Sequence, residues 1–193
     1  MAIIKSIFVF LTIVAAGTIS GGLAGAENEP PLEGDVLPEI ALQAPQNPLH
    51  REYLGLKTGG TFKIPQIKAD ILIIEIFSMY CPHCQREAPT VNNFYQKIQN
   101  DVNLKDKVKM IGIGIGNSDF EINFFRKKYN IPFPLFSDSD FIIHKKIGEV
   151  RTPYFIGIKI TTAQNHHVFY SQLGGPKDSR QFLEKMLQTA DVK

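Results

Sequence analysis

Two stretches of the chain are apolar almost without interruption. Asp70–Phe77 reads DILIIEIF and Lys107–Gly116 reads KVKMIGIGIG. Short runs rich in Ile, bounded by polar residues, are the pattern of strands buried on both faces. Between them Val91, Phe94, Tyr95 and Ile98 recur at helical spacing. A helix is therefore expected from Pro82 to about Gln99, with Pro82 suited to its first turn and Pro89 expected to kink it. FEINFFRKKY, behind the capping run Asn117–Asp119, predicts a second amphipathic helix. FPLFSDSD reads as a short strand and turn, and Phe141–Ile147 as one or two helical turns. Pro153–Ile160 and His166–Gln172 read as hairpin strands. Gly174 and Gly175 then break the chain, and Asp178–Gln188 reads as a capped amphipathic helix. Strands and helices alternate before a hairpin and a last helix, so the class is α/β.

The part before Thr61 is punctuated differently. Pro30, Pro31, Pro38, Pro45, Pro48, Gly55, Gly59 and Gly60 argue against a long helix. An extended lead-in over 27–60 is expected, with a short strand at Glu39–Gln43 and a helical turn at Arg51–Leu56. TFKIPQI (Thr61–Ile67) predicts another short strand and opens a domain running over 61–193. Ahead of the lead-in, Lys5 is followed by an uncharged run from Ser6 to Ala26 that ends in AGA. A basic residue, a short apolar core and a small-residue site make residues 1–26 an expected signal peptide. Its apolar part is short of the roughly 20 residues a bilayer span needs, which favours cleavage over an uncleaved anchor. The expected location is an oxidising compartment, most simply a periplasm.

Composition removes several classes of function. The 193 residues carry a net charge of +2 with acids and bases interspersed, so no basic block marks a nucleic-acid or anionic-membrane surface. A monomer is expected. The hydrophobic fraction of 44%, with 14 Phe and 6 Tyr but no Trp, is enough for a core of its own. Structural zinc usually takes four ligands, and there are two cysteines and five scattered histidines. His166 and His167 alternate faces if they lie on a strand. Asp138 and Asp140 read as turn and cap residues, because the calcium-loop spacing is absent. GIGIG (Gly112–Gly116) lacks the G-x-G-x-x-G spacing of a dinucleotide loop.

Both cysteines fall in one stretch, SMYCPHCQREAP (Ser78–Pro89). As a staple, a loop of about four residues is worth only roughly 2 kcal/mol in the chain-entropy model. As metal ligands, Cys81 and Cys84 suit copper(I), which two thiolates can hold. As a redox pair they sit between a buried strand and a helix N-terminus, where free N–H groups favour a thiolate. Cys81 is then the exposed attacker, Cys84 the resolving thiol one turn inside, and His83 a tuning neighbour. Glu75 is an acid in a continuous apolar strand, costly unless paired or protonated. It is a candidate proton relay to Cys84, or else a salt-bridged acid. Glu87, three residues after Cys84, lies near the site or is an ordinary solvated glutamate.

CPHCQREAP after a central strand, with Pro89 in the helix, resembles the active-site stretch of thioredoxin-fold thiol–disulfide oxidoreductases. RTPYF (Arg151–Phe155) is similar to that family's cis-proline loop. The distance from Cys84 to Pro153 leaves room for the extra strand–helix segment of the TlpA/ResA-like, AhpC/TSA-related branch. Glu87 matches that branch's C-x-x-C-x-x-E-x-P. EIFSMYCPHC, with its Pro82–His83 dipeptide, resembles the DsbA-type oxidants instead, and Met79 and Tyr80 stand where thioredoxins carry Trp. The P-x-x-x-T/S-x-x-C motif of peroxiredoxins is missing, which argues against peroxide reduction.

The resemblance implies a thioredoxin-like mixed sheet flanked by helices, with a strand–helix insertion between the CxxC helix and the cis-proline strand. It implies a Cys81–Cys84 disulfide, with Pro82 and His83 tuning it and Glu75 placed as the buried acid beneath it. Pro153, Thr152 and Tyr80 are the implied substrate contacts, and Glu87 tunes cysteine reactivity. No cofactor is implied. The implied partners are protein thiols or disulfides and a membrane redox protein that resets the couple. The TlpA/ResA-like frame implies a reductant and the Pro-His dipeptide an oxidant.

Overall fold

A computed structural model describes residues 29–57, 59–162, 165–175 and 178–189. The expected leader at 1–26 lies outside the described residues. The predicted α/β alternation is present. A five-stranded sheet has the order β5-β4-β3-β6-β7, built from β3 (Ile71–Phe77), β4 (Val108–Ile115), β5 (Leu135–Asp138), β6 (Tyr154–Thr162) and β7 (Asn165–Leu173). β3, β4 and β5 run parallel, and β6 turns antiparallel to β3 and pairs with β7 as a hairpin. The helices are α1 (Pro48–Leu54), α2 (Pro82–Asn100), α3 (Asp119–Tyr129), α4 (Ile142–Lys146) and α5 (Ser179–Thr189). Both β4–α3 and β5–α4 fall between α2 and β6, so the chain carries the strand–helix insertion of a thioredoxin-like fold.

β3 is central, and all seven of its residues are buried. Side chains alternate across a strand. Leu72, Ile74 and Ile76 therefore join one core with Leu37, Ile40, Leu54, Phe62, Ile111 and Ile113. Ile71, Ile73 and Phe77 join the other, against Cys84, Ala88, Val91, Phe94 and Ile98 of α2. That helix buries one stripe at helical spacing, and each large side chain in it contributes about 1.5–3 kcal/mol. Phe182 of α5 stands edge-on to Phe94, Phe155 and Tyr170 and closes this layer.

The lead-in is more structured than its breakers suggest. Asn47 accepts from Leu49 N–H, Pro48 takes the first turn, and Gly55 ends α1 in the left-handed region at φ 69°. Pro48 thus starts a helix, so α1 begins three residues before the predicted turn at Arg51. β1 (Ala41–Gln43) pairs antiparallel with β2 (Thr61–Lys63) in a separate two-stranded sheet. Upstream, Gly34 N–H donates to Val168 O and Val168 N–H to Asp35 O, both at 2.8 Å. The lead-in thereby covers part of the outer edge of β7, an edge that would otherwise be open to strand pairing. His166 and His167 lie beside it, with ring nitrogens 3.2 Å from Leu37 O and 3.3 Å from Gly34 O.

Phe94 is fully buried where α2 meets α5, whereas Phe120 on α3 is 79% exposed. Phe94→Ala is expected to lower stability by about 3–5 kcal/mol in urea unfolding. Phe120→Ala should stay within about 0.5 kcal/mol of the parent.

Candidate active site

The site grows from the end of β3. The strand stops at Phe77, and the next turn is held by side chains from two other elements. Asn117, fully buried after β4, accepts the Met79 N–H at 2.8 Å. Gln85 Nε2 of α2 donates to Met79 O at 2.7 Å. With both polar groups of Met79 engaged, and Cys81 N–H donating to Ser78 O at 3.0 Å, the turn delivers Cys81 to the N-cap of α2. Of the capping run Asn117–Asp119, Ser118 caps α3, in a reciprocal box with Glu121, while Asn117 is turned to Met79.

Cys81 and Cys84 are both free thiols, Cys81 half-buried and Cys84 wholly buried. The Cys81 thiol donates to Thr152 O at 3.4 Å. Partial burial works against ionisation of Cys81. Hydrogen bonding from the Thr152 side chain, the Cys84 backbone and thiol and the His83 backbone outweighs it, and the thiol lies below its ordinary range. Cys84 goes the other way. Burial pushes it well up despite a backbone hydrogen bond from Ser78, and the Cys81 thiol and the charge of Glu75 add to the rise. Two thiols one helical turn apart thus differ sharply in readiness to ionise.

Glu75 projects from β3 on the α2 side, beneath the pair. It is 3% exposed. Among the described residues no ion pair or hydrogen bond engages its carboxyl; the one salt bridge there joins Lys63 to Glu39. Burial first, and the charge of Glu87 second, raise Glu75 from 4.5 to about 8. Glu87 is half-buried and accepts the Gly175 N–H at 2.8 Å. A Cβ at Gly175 would lie 2.2 Å from that carboxylate oxygen, so a glycine is what allows the loop before α5 to approach so closely. Nothing in the sequence marked Gly175 as more than a chain break.

Pro153 is buried, follows a cis peptide bond from Thr152, and accepts the Gly174 N–H at 2.8 Å through its carbonyl. Thr152 O is thereby held against the Cys81 sulfur. Pro82 occupies the first turn of α2. The His83 ring does not face the sulfur: Arg86 Nη2 donates to its Nδ1 at 2.8 Å, and the part of His83 that reaches Cys81 is its backbone N–H. Arginine has no acceptor, so Nδ1 is the unprotonated ring nitrogen in this arrangement. Tyr80 is exposed, and its hydroxyl donates to Glu121.

The family model for AhpC/TSA matches residues 34–172. The chain belongs to the AhpC/TSA family. No curated protein sequence matches it significantly. Solved structures share the fold of this AhpC/TSA chain at low identity. The thioredoxin domain of a thiol-disulfide oxidoreductase from Bacteroides vulgatus superposes with a TM-score of 0.59 at 13% identity, covering 80% of this chain and 96% of that one. StoA from Bacillus subtilis gives 0.54 at 20% identity, covering 77% and 96%. A secreted Mycobacterium tuberculosis disulfide oxidoreductase homologous to E. coli DsbE gives 0.51 at 17% identity, covering 67% and 90%.

Within this AhpC/TSA fold the structure brings Cys81, Cys84, Glu75, Glu87, Thr152 and Pro153 together, while Tyr80 and the His83 ring stand outside that cluster. Among the described residues no group of three or more His, Cys, Asp or Glu gathers as a metal would require.

Glu75 links the site to stability. Below pH 4.5 the carboxyl is protonated in both folded and unfolded chains. Between 4.5 and about 8 the unfolded chain loses that proton first, so this residue makes stability fall as pH rises. The full cost is on the order of 5 kcal/mol. Glu75→Gln should therefore gain stability over the parent progressively from pH 5 to pH 8, read by urea unfolding at each pH.

Proposed function

We propose that the protein is a secreted thiol–disulfide oxidoreductase that exchanges a Cys81–Cys84 disulfide with protein substrates. The observation that carries this reading is the opposed ionisation of two adjacent thiols above a buried carboxyl without a partner. The Mycobacterium tuberculosis and Bacteroides vulgatus proteins whose fold this chain shares, both disulfide oxidoreductases, point the same way.

In the reducing direction the Cys81 thiolate attacks one sulfur of a substrate disulfide. A Cys81–substrate bond forms, the substrate S–S bond breaks, and the second substrate sulfur leaves as a thiolate that takes up a proton. Cys84 then gives up its proton and attacks Cys81 Sγ. The protein disulfide forms, the mixed disulfide breaks, and the other substrate thiol departs. Two electrons pass from the protein dithiol to the substrate. The reverse sequence oxidises a substrate dithiol.

The difficult step is deprotonation of Cys84. Glu75 is the group proposed to take that proton and return it. A carboxyl near 8 is close to the pH at which it works, where a relay is most effective. Glu87 sets that value in part through its charge, held in place by Gly175. Thr152 and Pro153 are proposed to meet the substrate backbone beside Cys81. His83 acts through its backbone N–H, and Pro82 through the helix start it sets. The expected setting is a periplasm, entered with residues 1–26 as a cleaved signal peptide. A membrane redox partner resets the couple of a monomeric protein. No observation favours the copper(I) reading over this one.

Cys81→Ser is expected to abolish exchange, and Cys84→Ser to accumulate the mixed disulfide with substrate, seen by mass spectrometry. Glu75→Gln should slow resolution by on the order of a hundredfold and flatten its dependence on pH. Resolution rates that match the parent from pH 6 to 9 would overturn the relay. The direction of electron flow is read from the reduction potential of the couple, against about −270 mV for thioredoxin and about −120 mV for DsbA.

A further inference from the structure

The lead-in and one side of α3 enclose a second cavity, and none of the residues gathered around Cys81 lines it. It holds about 530 Å³, a size that takes a small organic molecule. One wall is the lead-in from Ala41 to Asn47, with His50; the other is α3 with β5. Leu42, Ile122, Leu135, Phe136 and Ile143 supply apolar lining. Arg126 and His50 stand among them, one from each wall. Arg126 is half-buried, and its guanidinium meets only a neutral group, Nη2 donating to Asn123 Oδ1 at 2.5 Å. Its Nε is buried with no acceptor, and among the described residues no carboxylate pairs with it. Asp119 also lines the cavity, but its Oδ1 accepts from Ser137 Oγ at 2.6 Å. It stands seven residues before Arg126, roughly 10 Å away along the helix. The His50 ring is near enough to feel the arginine. Burial first, and the Arg126 charge second, hold it below its ordinary range, so it is mostly uncharged at neutral pH.

We infer that this cavity is a binding site for a small organic monocarboxylate with an apolar body, held by Arg126 and His50. The site stands apart from the cysteine pair and does not depend on the thiol–disulfide reading. Three observations carry it. An arginine drawn out of water without a counter-charge is costly to the fold, and an anion seated beside it relieves that cost. The guanidinium is a flat fork that matches the two oxygens of a carboxylate, and among the described residues its Nη1 has no acceptor. The uncharged His50 imidazole on the facing wall has one N–H to donate to the same anion. The apolar lining asks for more than a bare ion, because a phosphate or sulfate would leave Leu42, Ile122 and Phe136 uncovered. Asp119 limits the charge to one, since a second carboxylate reaching along the cavity would meet its like.

The test is calorimetric titration of the purified protein with hexanoate, beside hexanol and inorganic phosphate. Hexanoate should saturate a single site, and hexanol and phosphate should each bind about tenfold or more weakly. Arg126→Lys, which keeps the charge and loses the fork, should weaken hexanoate by about tenfold, and His50→Ala by several-fold. Arg126→Met should lose binding and, without ligand, melt at or above the Tm of the parent, because it removes a buried charge that nothing pairs. Hexanoate should raise the Tm of the parent and leave that of Arg126→Met unchanged. A parent that shows no saturable hexanoate binding overturns the inference. So does equal affinity in parent and Arg126→Lys, or phosphate binding as tight as hexanoate. An Arg126→Met chain that melts well below the parent also overturns it, since the arginine would then serve the fold. A parent dimer that Arg126→Met converts to a monomer in sedimentation does the same, since the occupant would then be a second copy of the chain.

Discussion

A buried carboxyl without a partner, between the central strand and α2, is the constraint around which the site is organised. Glu75 interrupts a strand that could have been wholly aliphatic, on the face where Ile71, Ile73 and Phe77 meet α2. An apolar residue there would stabilise the fold at neutral pH. What stands there instead is a buried carboxyl beneath Cys84, the group proposed above to take and return its proton. Burial first keeps Cys84 protonated, with the Cys81 thiol and Glu75 adding to it, while Cys81 is drawn toward the thiolate by hydrogen bonds at the helix end. The asymmetry between the two sulfurs therefore comes from their depth along one helix.

Holding that geometry falls to residues with no chemistry of their own. Asn117 belongs to the end of β4 and Gln85 to α2, and both fasten the backbone of Met79. Gly174 and Gly175 connect the far end of the hairpin to Pro153 and Glu87. Four separate segments thus converge on the two sulfurs. A displacement in any one of them changes either the depth of Cys84 or the reach of Thr152 to Cys81.

Much of this was legible in the sequence, for physical reasons that differ by element. β3 and β4 were plain because strands buried on both faces read as near-continuous apolar runs, which Glu75 and Lys109 interrupt only once each. The helix after the cysteines was plain from its apolar spacing. α1 was understated because breakers that argue against a long helix, Pro48 and Gly55, are also the start and stop of a short one. Cys81, Cys84 and Glu75 were found because two thiols at helical spacing and an acid in an apolar run are unusual on their face. Asn117, Gln85 and Gly175 were not, because their roles depend on contacts 38 and 88 residues away for Asn117 and Gly175, and on a backbone carbonyl for Gln85. The His83 ring misled for the opposite reason. Its position beside Cys81 suggested a contact that Arg86 takes instead.

The local departures from good folding practice are not scattered. An unpaired acid in a core strand, an aromatic residue in the left-handed region and exposed phenylalanines on α3 all lie at the end of the sheet that carries Cys81. Natural chains keep local preference and global fold in agreement, and they break that agreement where function requires it. The opposite end of the sheet shows the contrast: there the lead-in covers the β7 edge with backbone hydrogen bonds. Stability lost at one end and conserved at the other is the distribution expected when selection acts on the end of the sheet that carries Cys81. Phe120 makes the point most sharply. It adds nothing to the core and is 79% exposed, so the packing of α3 against the sheet does not depend on its ring.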